Sequence, residues 1–373
     1  MTRELVKNAK RWVVKVGSSL VTNDGEGLNV DLIEKWSKQI ITLREHGIEI
    51  ILVSSGSVAA GMRRLGWNDR PTALHEVQVA AAVGQSSLVR CYEEMFAAHG
   101  VVTAQVLLTH ADFQNRQRYL NACAAFRSMM ELSVLPVVNE NDTVAVDEIR
   151  FGDNDSLAAM VTNLIDANLL VLLTDQAGLY DDNPSTNPGA KFISEAQAND
   201  PELKSFAGDK GGKFGTGGMA TKVKAATIAS KTGASTVIAN GRTDDILLQL
   251  FSGKDVGSLL LGQTDRVRSK KQWLASQLHV KGELVLDAGA AKVLVESGKS
   301  LLPVGVKAIN GTFERGELVS CCTEDGKELA RGLVNYSSTD AILIAGKQSK
   351  DISTILGAVS DKELIHRDNL VLI

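Results

Sequence analysis

Eight residues, Gly215-Thr-Gly-Gly-Met-Ala-Thr-Lys222, combine three glycines, two threonines and a lysine where a helix running to about Ala229 begins. Bare backbone N–H groups at the positive end of a helix form a phosphate cradle. Lys222 would stand one turn in, within reach of an outer phosphate. The segment is not a P-loop, because no G-x-x-x-x-G-K-[ST] aligns with it; the nearest miss, Gly208 to Gly212-Lys213, is one residue short and ends in Phe214. It also fits a degenerate G-x-G-x-x-A dinucleotide fingerprint, but that motif needs a strand before its first glycine, and Ala207 to Lys213 is polar and glycine-rich. The plain alternative is a flexible surface loop.

Four other clusters carry candidate chemistry. Lys15 interrupts an apolar strand and precedes Gly17-Ser18-Ser19. A lysine there is costly unless paired, so it reads either as phosphate-facing or as a snorkelling residue on an edge strand. Val53-Ser-Ser-Gly-Ser57 is a turn of hydroxyls and bare amides suited to a carboxylate or other anion. Asn139-Glu-Asn-Asp142 and Gly152-Asp-Asn-Asp155 fit no EF-hand spacing, but together suit a substrate ammonium and a magnesium ion. Asp153, Asn154 and Asp155 can equally cap the following helix. Thr174-Asp175 closes the most apolar strand of the chain, where a carboxylate can orient lysines or a metal, and the turn Tyr180-Asp-Asp-Asn-Pro184 can frame a nucleotide base.

Strands are predicted over Trp12–Val16, Ile48–Val53, Val101–Leu108, Val134–Val138, Leu169–Thr174 and Thr236–Ala239. Helices are predicted over Val30–His46, Thr72–His99, Gln114–Leu132, Ser156–Asp166 and Gly218–Thr232. Near-continuous apolar strands alternating with helices predict an α/β fold: an open, mainly parallel sheet covered by helices on both faces. Ligands in such sheets sit at the carboxyl ends of the strands. Around Arg266, Arg268, Lys270 and Lys271 the texture becomes basic and polar; beyond it, short glycine-punctuated runs and one helix, Ala288–Ser297, predict a small β-barrel-like domain. The expected division is a first domain over 1–265, a linker over 266–278, a second domain over 279–358 and a C-terminal tail over 359–373.

The chain has 373 residues, too many for one ordinary core, and 44% apolar residues, which excludes a disordered chain. A net charge of −4 gives no general pull toward nucleic acid. Cys91, Cys123, Cys321 and Cys322 show no metal or disulfide spacing, so reduced thiols are expected. A charged N-terminus and the lack of any membrane-length apolar run predict a cytoplasmic protein.

Taken in order, Val14-Lys15-Val-Gly17-Ser-Ser19, Ser54-Ser55-Gly56 with Ala59-Ala-Gly61, Asn139-Glu-Asn-Asp142, Gly152-Asp-Asn-Asp155, Leu173-Thr-Asp175, Gly178-Leu-Tyr180 and Gly215 to Lys222 resemble the amino acid kinase superfamily. They are most similar to its glutamate-phosphorylating branch, and the second domain resembles a PUA domain. The resemblance implies ATP-dependent phosphorylation of the L-glutamate side chain, the first step of proline synthesis, with Mg²⁺. It implies that Lys15 and Lys222 touch the transferred phosphoryl group and that Asp175 holds both. It further implies that Lys15, Thr174, Asp175, Thr216, Gly217, Gly218, Met219, Ala220, Thr221 and Lys222 bind ATP. Ser55, Asp142 and Asn154 would bind glutamate, and Asp155 magnesium. Feedback inhibition by proline, a glutamyl phosphate reductase downstream and homo-oligomerisation are also implied.

Kinases of acetylglutamate, aspartate, carbamate or uridylate share the expected fold, but the β-rich tail argues against them. RNA binding by the PUA-like tail is opposed by its mixed charges and lack of aromatic-basic runs.

Overall fold

The computed structural model describes residues 2–23, 27–145, 154–184, 186–206, 218–262, 280–357 and 361–373. The basic connector containing Arg266, Arg268, Lys270 and Lys271 lies outside the described residues. The chain divides into two compact units, one of residues 1–111 and 123–264, the other of residues 112–122 and 265–373. Segment 112–122 thus groups with the C-terminal part rather than with its sequence neighbours. Within that second unit, Leu120 shares a small apolar cluster with Leu318 and Leu333.

The first unit contains β1 (Arg11–Val16), β2 (Glu49–Ser54), β3 (Thr103–Leu108), β4 (Leu135–Glu140), β5 (Leu169–Thr174), β6 (Leu179–Tyr180), β7 (Phe192–Ile193), β8 (Glu195–Gln197), β9 (Ser235–Asn240) and β10 (Ser258–Leu261). Its main sheet has the order β3-β4-β2-β1-β5-β9-β10-β8. All its pairings are parallel except β9 with β10. The predicted strands and helices are present, with ends shifted by a few residues, as end fraying leads one to expect.

The period-2 alternation of β1 sorts its side chains. Trp12, Val14 and Val16 join one core cluster with Ile33, Trp36 and Ile40 of helix Val30–Glu45 and with Leu88, Tyr92 and Phe96 of helix Leu74–Ala97. Lys15, one residue out of phase, belongs to the opposite face. There helices Asn154–Leu164 and Met219–Ser230 pack on the central strands and on each other.

Lys15 is in register with Val53 of β2 and Leu172 of β5, so its strand is central. The edge-strand account of this lysine is therefore wrong. The chain leaves β1 toward β2, β3 and β4 on one side, then returns to β5 on the other. The carboxyl ends of β1 and β5 consequently flank a topological switch point, where open α/β sheets hold ligands.

A close helix crossing supports the β2 end of this crevice. Helix Ser57–Leu65 meets helix Leu74–Ala97 through two glycines: a Cβ on Gly61 would lie 1.7 Å from the Ala80 carbonyl oxygen, and one on Gly84 would lie 1.8 Å from that of Ser57. Backbone lies against backbone here, and no flexible side chain is available to give way.

The second unit holds β11 (Gly282–Leu286), β12 (Val306–Gly311), β13 (Leu318–Cys322), β14 (Glu328–Leu333) and β15 (Leu370–Leu372) in the order β12-β11-β13-β14-β15. Its core includes Leu284, Leu286, Val319, Cys321, Ala330, Ile344 and Ile365. Besides Ala288–Ser297 it has helices Ser338–Ile344 and Ile352–Leu356, too short to announce themselves by periodicity. The segment expected to be a tail supplies β15, which pairs antiparallel with β14.

Gly84→Ala should lower stability by about 1–3 kcal/mol or more, because the helices must separate to admit the methyl group. Urea unfolding of the purified variant measures this. Exposed Ser86→Ala, two residues away, should remain near wild type.

Candidate functional site

The site is built on a buried ion triad. Asp155, in the first turn of helix Asn154–Leu164, places Oδ1 2.6 Å from Lys15 Nζ and Oδ2 3.1 Å from Lys222 Nζ. Asp155 is 1% exposed and each lysine 5%, so the triad is excluded from bulk water. Thr221 donates its hydroxyl to Asp155 Oδ2 at 2.7 Å. Two residues distant in sequence, one from the first strand and one from a late helix, thus meet on a single carboxylate. One negative and two positive charges leave an excess of one positive charge, which suits an anionic ligand such as a phosphate chain.

The carboxyl of Asp155 feels opposed influences. Burial pushes it upward, but the charges of Lys15 and then Lys222, with hydrogen bonds from Lys15 and Thr221, hold it well below the usual carboxylate range. Its position at a helix N-terminus acts in the same sense.

This geometry corrects two expectations. The carboxylate holding both lysines is Asp155, not Asp175. Asp175 is exposed just past the end of β5, accepts from Thr174 Oγ1 at 3.0 Å, and makes no ion pair among the described residues. The magnesium role of Asp155 does not fit either. Both its oxygens already face ammonium groups, and Mg²⁺ seated about 2.0–2.1 Å from either one would displace a cation. Among the described residues, no group of three or more His, Cys, Asp or Glu could hold a metal.

Beside the triad, Gly218 caps helix Met219–Ser230, and the Thr221 hydroxyl lies within hydrogen-bond distance of both Asp155 Oδ2 and the Gly218 carbonyl, with one proton to share between them. Gly215, Thr216 and Gly217, expected in the same phosphate loop, lie outside the described residues, as do Gly152 and Asp153. Met219 is half-buried and Ala220 exposed. Thr174 is buried at the end of β5, and the adjoining Gly17 N–H donates to the Leu173 carbonyl. Tyr180 meets Phe192 edge to face, with ring centroids 5.3 Å apart, across the small β6–β7 pair.

The second half of the site is rich in amides and hydroxyls and carries one carboxylate, Asp142. Gly56 adopts φ +101°, which lets the chain turn from β2 into helix Ser57–Leu65. The turn presents Ser55 Oγ and the Ser54 carbonyl, each 3.0 Å from Asn154 Nδ2. Asn139 Oδ1, at the end of β4, also accepts from Asn154 Nδ2 at 2.8 Å. Ser57 donates to Asp142 Oδ2 at 3.0 Å. Burial raises the Asp142 carboxyl above its ordinary range, opposed by the Ser57 hydrogen bond and the charge of Arg70.

Ser55 and Asn154 are thus hydrogen-bonded to each other, Asp142 is bonded to Ser57 two residues along the same turn, and Asn154 adjoins the triad through its neighbour Asp155. Sequence reading missed Gln85, which accepts from Asn139 Nδ2 at 2.7 Å. Its signal was a glutamine on the buried stripe of Ala81, Leu88 and Tyr92 in helix Leu74–Ala97. Tyr92, hydrogen-bonded to Ser54 Oγ at 3.0 Å, was missed too. An aromatic on an apolar helix face gives no sequence sign of such a role.

Asp155→Asn should destabilise the protein by about 3–5 kcal/mol, because two buried ammonium groups lose their counter-charge. A carboxyl lowered on folding stabilises fully above its unfolded value, about pH 3.9, and progressively less as pH falls toward its folded value. The stability gap between wild type and Asp155→Asn should therefore be constant near neutrality and shrink below about pH 4, measured by denaturant unfolding across pH.

The profile described as the amino acid kinase family matches residues 10–240, and that of the PUA domain matches residues 282–356. Glutamate 5-kinase of Chromohalobacter salexigens is 56% identical over 372 residues, covering 100% of this chain and 98% of its own. Glutamate 5-kinase of Ectopseudomonas mendocina is 54% identical over 371 residues, covering 100% of both chains. Among solved structures, UMP kinase from Ureaplasma parvum is similar over 68% of this chain and 99% of its own, at TM-score 0.46 and 13% identity, too distant to carry an argument. With its first unit matched over most of its length and its relatives aligned from end to end, the chain belongs to the amino acid kinase family.

Proposed function

We propose that this protein transfers the γ-phosphoryl group of ATP to the side-chain carboxylate of L-glutamate, forming L-glutamyl 5-phosphate and ADP, the first step of proline biosynthesis. The observation that carries this reading is the Lys15–Asp155–Lys222 triad, joined through Asn154 to a shell suited to an amino acid.

The nucleophile is a carboxylate, ionised at neutral pH, so no general base is required. One carboxylate oxygen attacks the γ-phosphorus as the bond to the β-bridging oxygen breaks. Catalysis is then alignment and neutralisation of spreading negative charge. Lys15 and Lys222 supply that neutralisation; they touch the moving phosphoryl group while Asp155 holds them as a pair. Thr174, the helix end at Gly218 and the turn after Lys15 form the nucleotide side, Asp175 closes it at the surface, and Mg²⁺ accompanies the phosphates. Ser55, Asn154 and Asp142 hold the amino acid, with Asp142 against its ammonium group.

The same reading extends to three associations. Proline carries the ammonium and carboxylate of an amino acid and would compete at the glutamate shell. The acyl phosphate is labile in water, so a reductase must consume it. Self-association is supported by edge strand β3, around which Val102, Leu107 and Leu132 are exposed. Among the described residues no helix is long and apolar enough to cross a membrane. Four free, buried thiols suit the reducing cytoplasm.

ATP consumption with glutamate, with hydroxylamine present to trap the acyl phosphate, tests the whole reading. Glutamate-dependent hydroxamate is expected, and its absence would refute the assignment. Lys222→Ala should lower kcat at least tenfold, as removing one transition-state donor costs about 3–4 kcal/mol. Asp142→Asn should chiefly raise the glutamate KM, because a grip on the ammonium is felt alike before and during transfer. Protonating Asp142 removes that grip, and its carboxyl is raised. The wild-type glutamate KM should therefore climb as pH falls, and at a higher pH than an ordinary aspartate would require. In Asp142→Asn this rise should be missing, leaving only the titration of glutamate itself.

A further inference from the structure

We propose that Gln85 is a positioning residue for the amino-acid substrate, acting through Asn139 to orient the amide of Asn154. This deepens the glutamate reading above and rests on it.

The polarity of the relay is dictated by two backbone groups that have no choice of role. The Glu140 N–H can only donate, and its partner at 2.8 Å must therefore be the oxygen of the Asn139 amide. That oxygen also accepts from Asn154 Nδ2 at 2.8 Å. The nitrogen of Asn139 consequently faces the other way, toward Gln85 Oε1 at 2.7 Å. At the far end, the Ser54 carbonyl can only accept, so the Asn154 atom 3.0 Å from it is the amide nitrogen.

Asn154 Oδ1 is then the unused end of the chain. It takes part in none of these bonds. An amide oxygen beside Ser55 can accept from a ligand, and an amino acid brings a donor in its ammonium group. Gln85 adds the acceptor for the Asn139 nitrogen, so the carboxamide that meets Asn154 is held at both of its ends rather than at its oxygen alone. Gln85 adjoins Gly84, whose close backbone contact with Ser57 locks the helix to the substrate turn. The acceptor is thereby held at a set height above the shell.

The test uses two variants of the full-length protein: Gln85→Met, which keeps the length but has no oxygen, and Gln85→Glu, which keeps an acceptor. Steady-state KM for glutamate and for ATP, kcat and the thermal midpoint are measured for each. Losing the acceptor should raise the glutamate KM of Gln85→Met roughly tenfold or more, the effect of one buried donor left unpaired. Its ATP KM should stay within about twofold, and Gln85→Glu should recover most of the loss. The inference is overturned if Gln85→Met keeps a wild-type glutamate KM. It is equally overturned if both KM values rise alongside a lower thermal midpoint with no recovery in Gln85→Glu. Should wild type neither turn over nor bind glutamate, the functional reading fails on its own. Crystal structures of Gln85→Met then decide the relay: a reversed or displaced Asn139 amide supports it, and an unchanged Asn139–Asn154 pair refutes it.

Discussion

A carboxylate shared by two ammonium groups beneath the surface of an apolar sheet is the constraint to which the rest of the first unit answers. Removing three charges from water costs several kcal/mol for each ion, and only close, multiply hydrogen-bonded geometry offsets it. That requirement explains why Lys15 stands on a central strand, where its neighbours Val53 and Leu172 cannot solvate it. It also explains why helices Asn154–Leu164 and Met219–Ser230 lie side by side on the same face of that strand. One brings the carboxylate in its first turn, and the other brings Lys222 and Thr221 in its own. A substrate phosphate entering here meets cations already desolvated and aligned, so little reorganisation remains for the reaction step.

The two halves of the site use different physics for different cargo. The phosphate half relies on charge, which acts over distance and tolerates small displacements. The half proposed for the amino acid combines the Asp142 carboxylate with oriented amides and hydroxyls, which discriminate by direction and fail when a donor faces a donor. Direction must be anchored in something stiff. The β2 turn with its left-handed Gly56, the carboxyl end of β4 and the Gly61–Gly84 helix crossing supply that stiffness. Asn154 and Asp155, adjacent in sequence, serve the two halves separately, which under the proposed function would hold amino acid and phosphate in fixed relation.

Much of this was legible before any coordinates. The alternation of apolar strands and helices specified the sheet class, because the period of burial is written directly into residue order. Lys15, Ser55, Asp142, Asn154 and Lys222 stood out because their polarity conflicts with the surroundings or because glycine and serine mark a strand end. The roles of Asp155 and Asp175 were misjudged for a physical reason. Both are aspartates beside a strand or helix terminus, and their local sequences do not say which one faces the sheet side occupied by Lys15. Gln85 and Tyr92 escaped notice because each sits on an otherwise apolar helix stripe, and their partners lie on β4 and β2. In the second unit, β15 was taken for a tail because three apolar residues at a chain end carry no periodicity of their own.

Sequence alone determined the alternating elements, the apolar strands and the stock of groups able to meet phosphate and an amino acid, since these follow from local pattern and side-chain chemistry. Tertiary structure decided which of those groups meet: that Asp155 rather than Asp175 takes both lysines, and that Gln85 meets Asn139. Such choices depend on strand order, on which face a residue turns to and on distances between segments far apart in the chain, none of which a local pattern encodes.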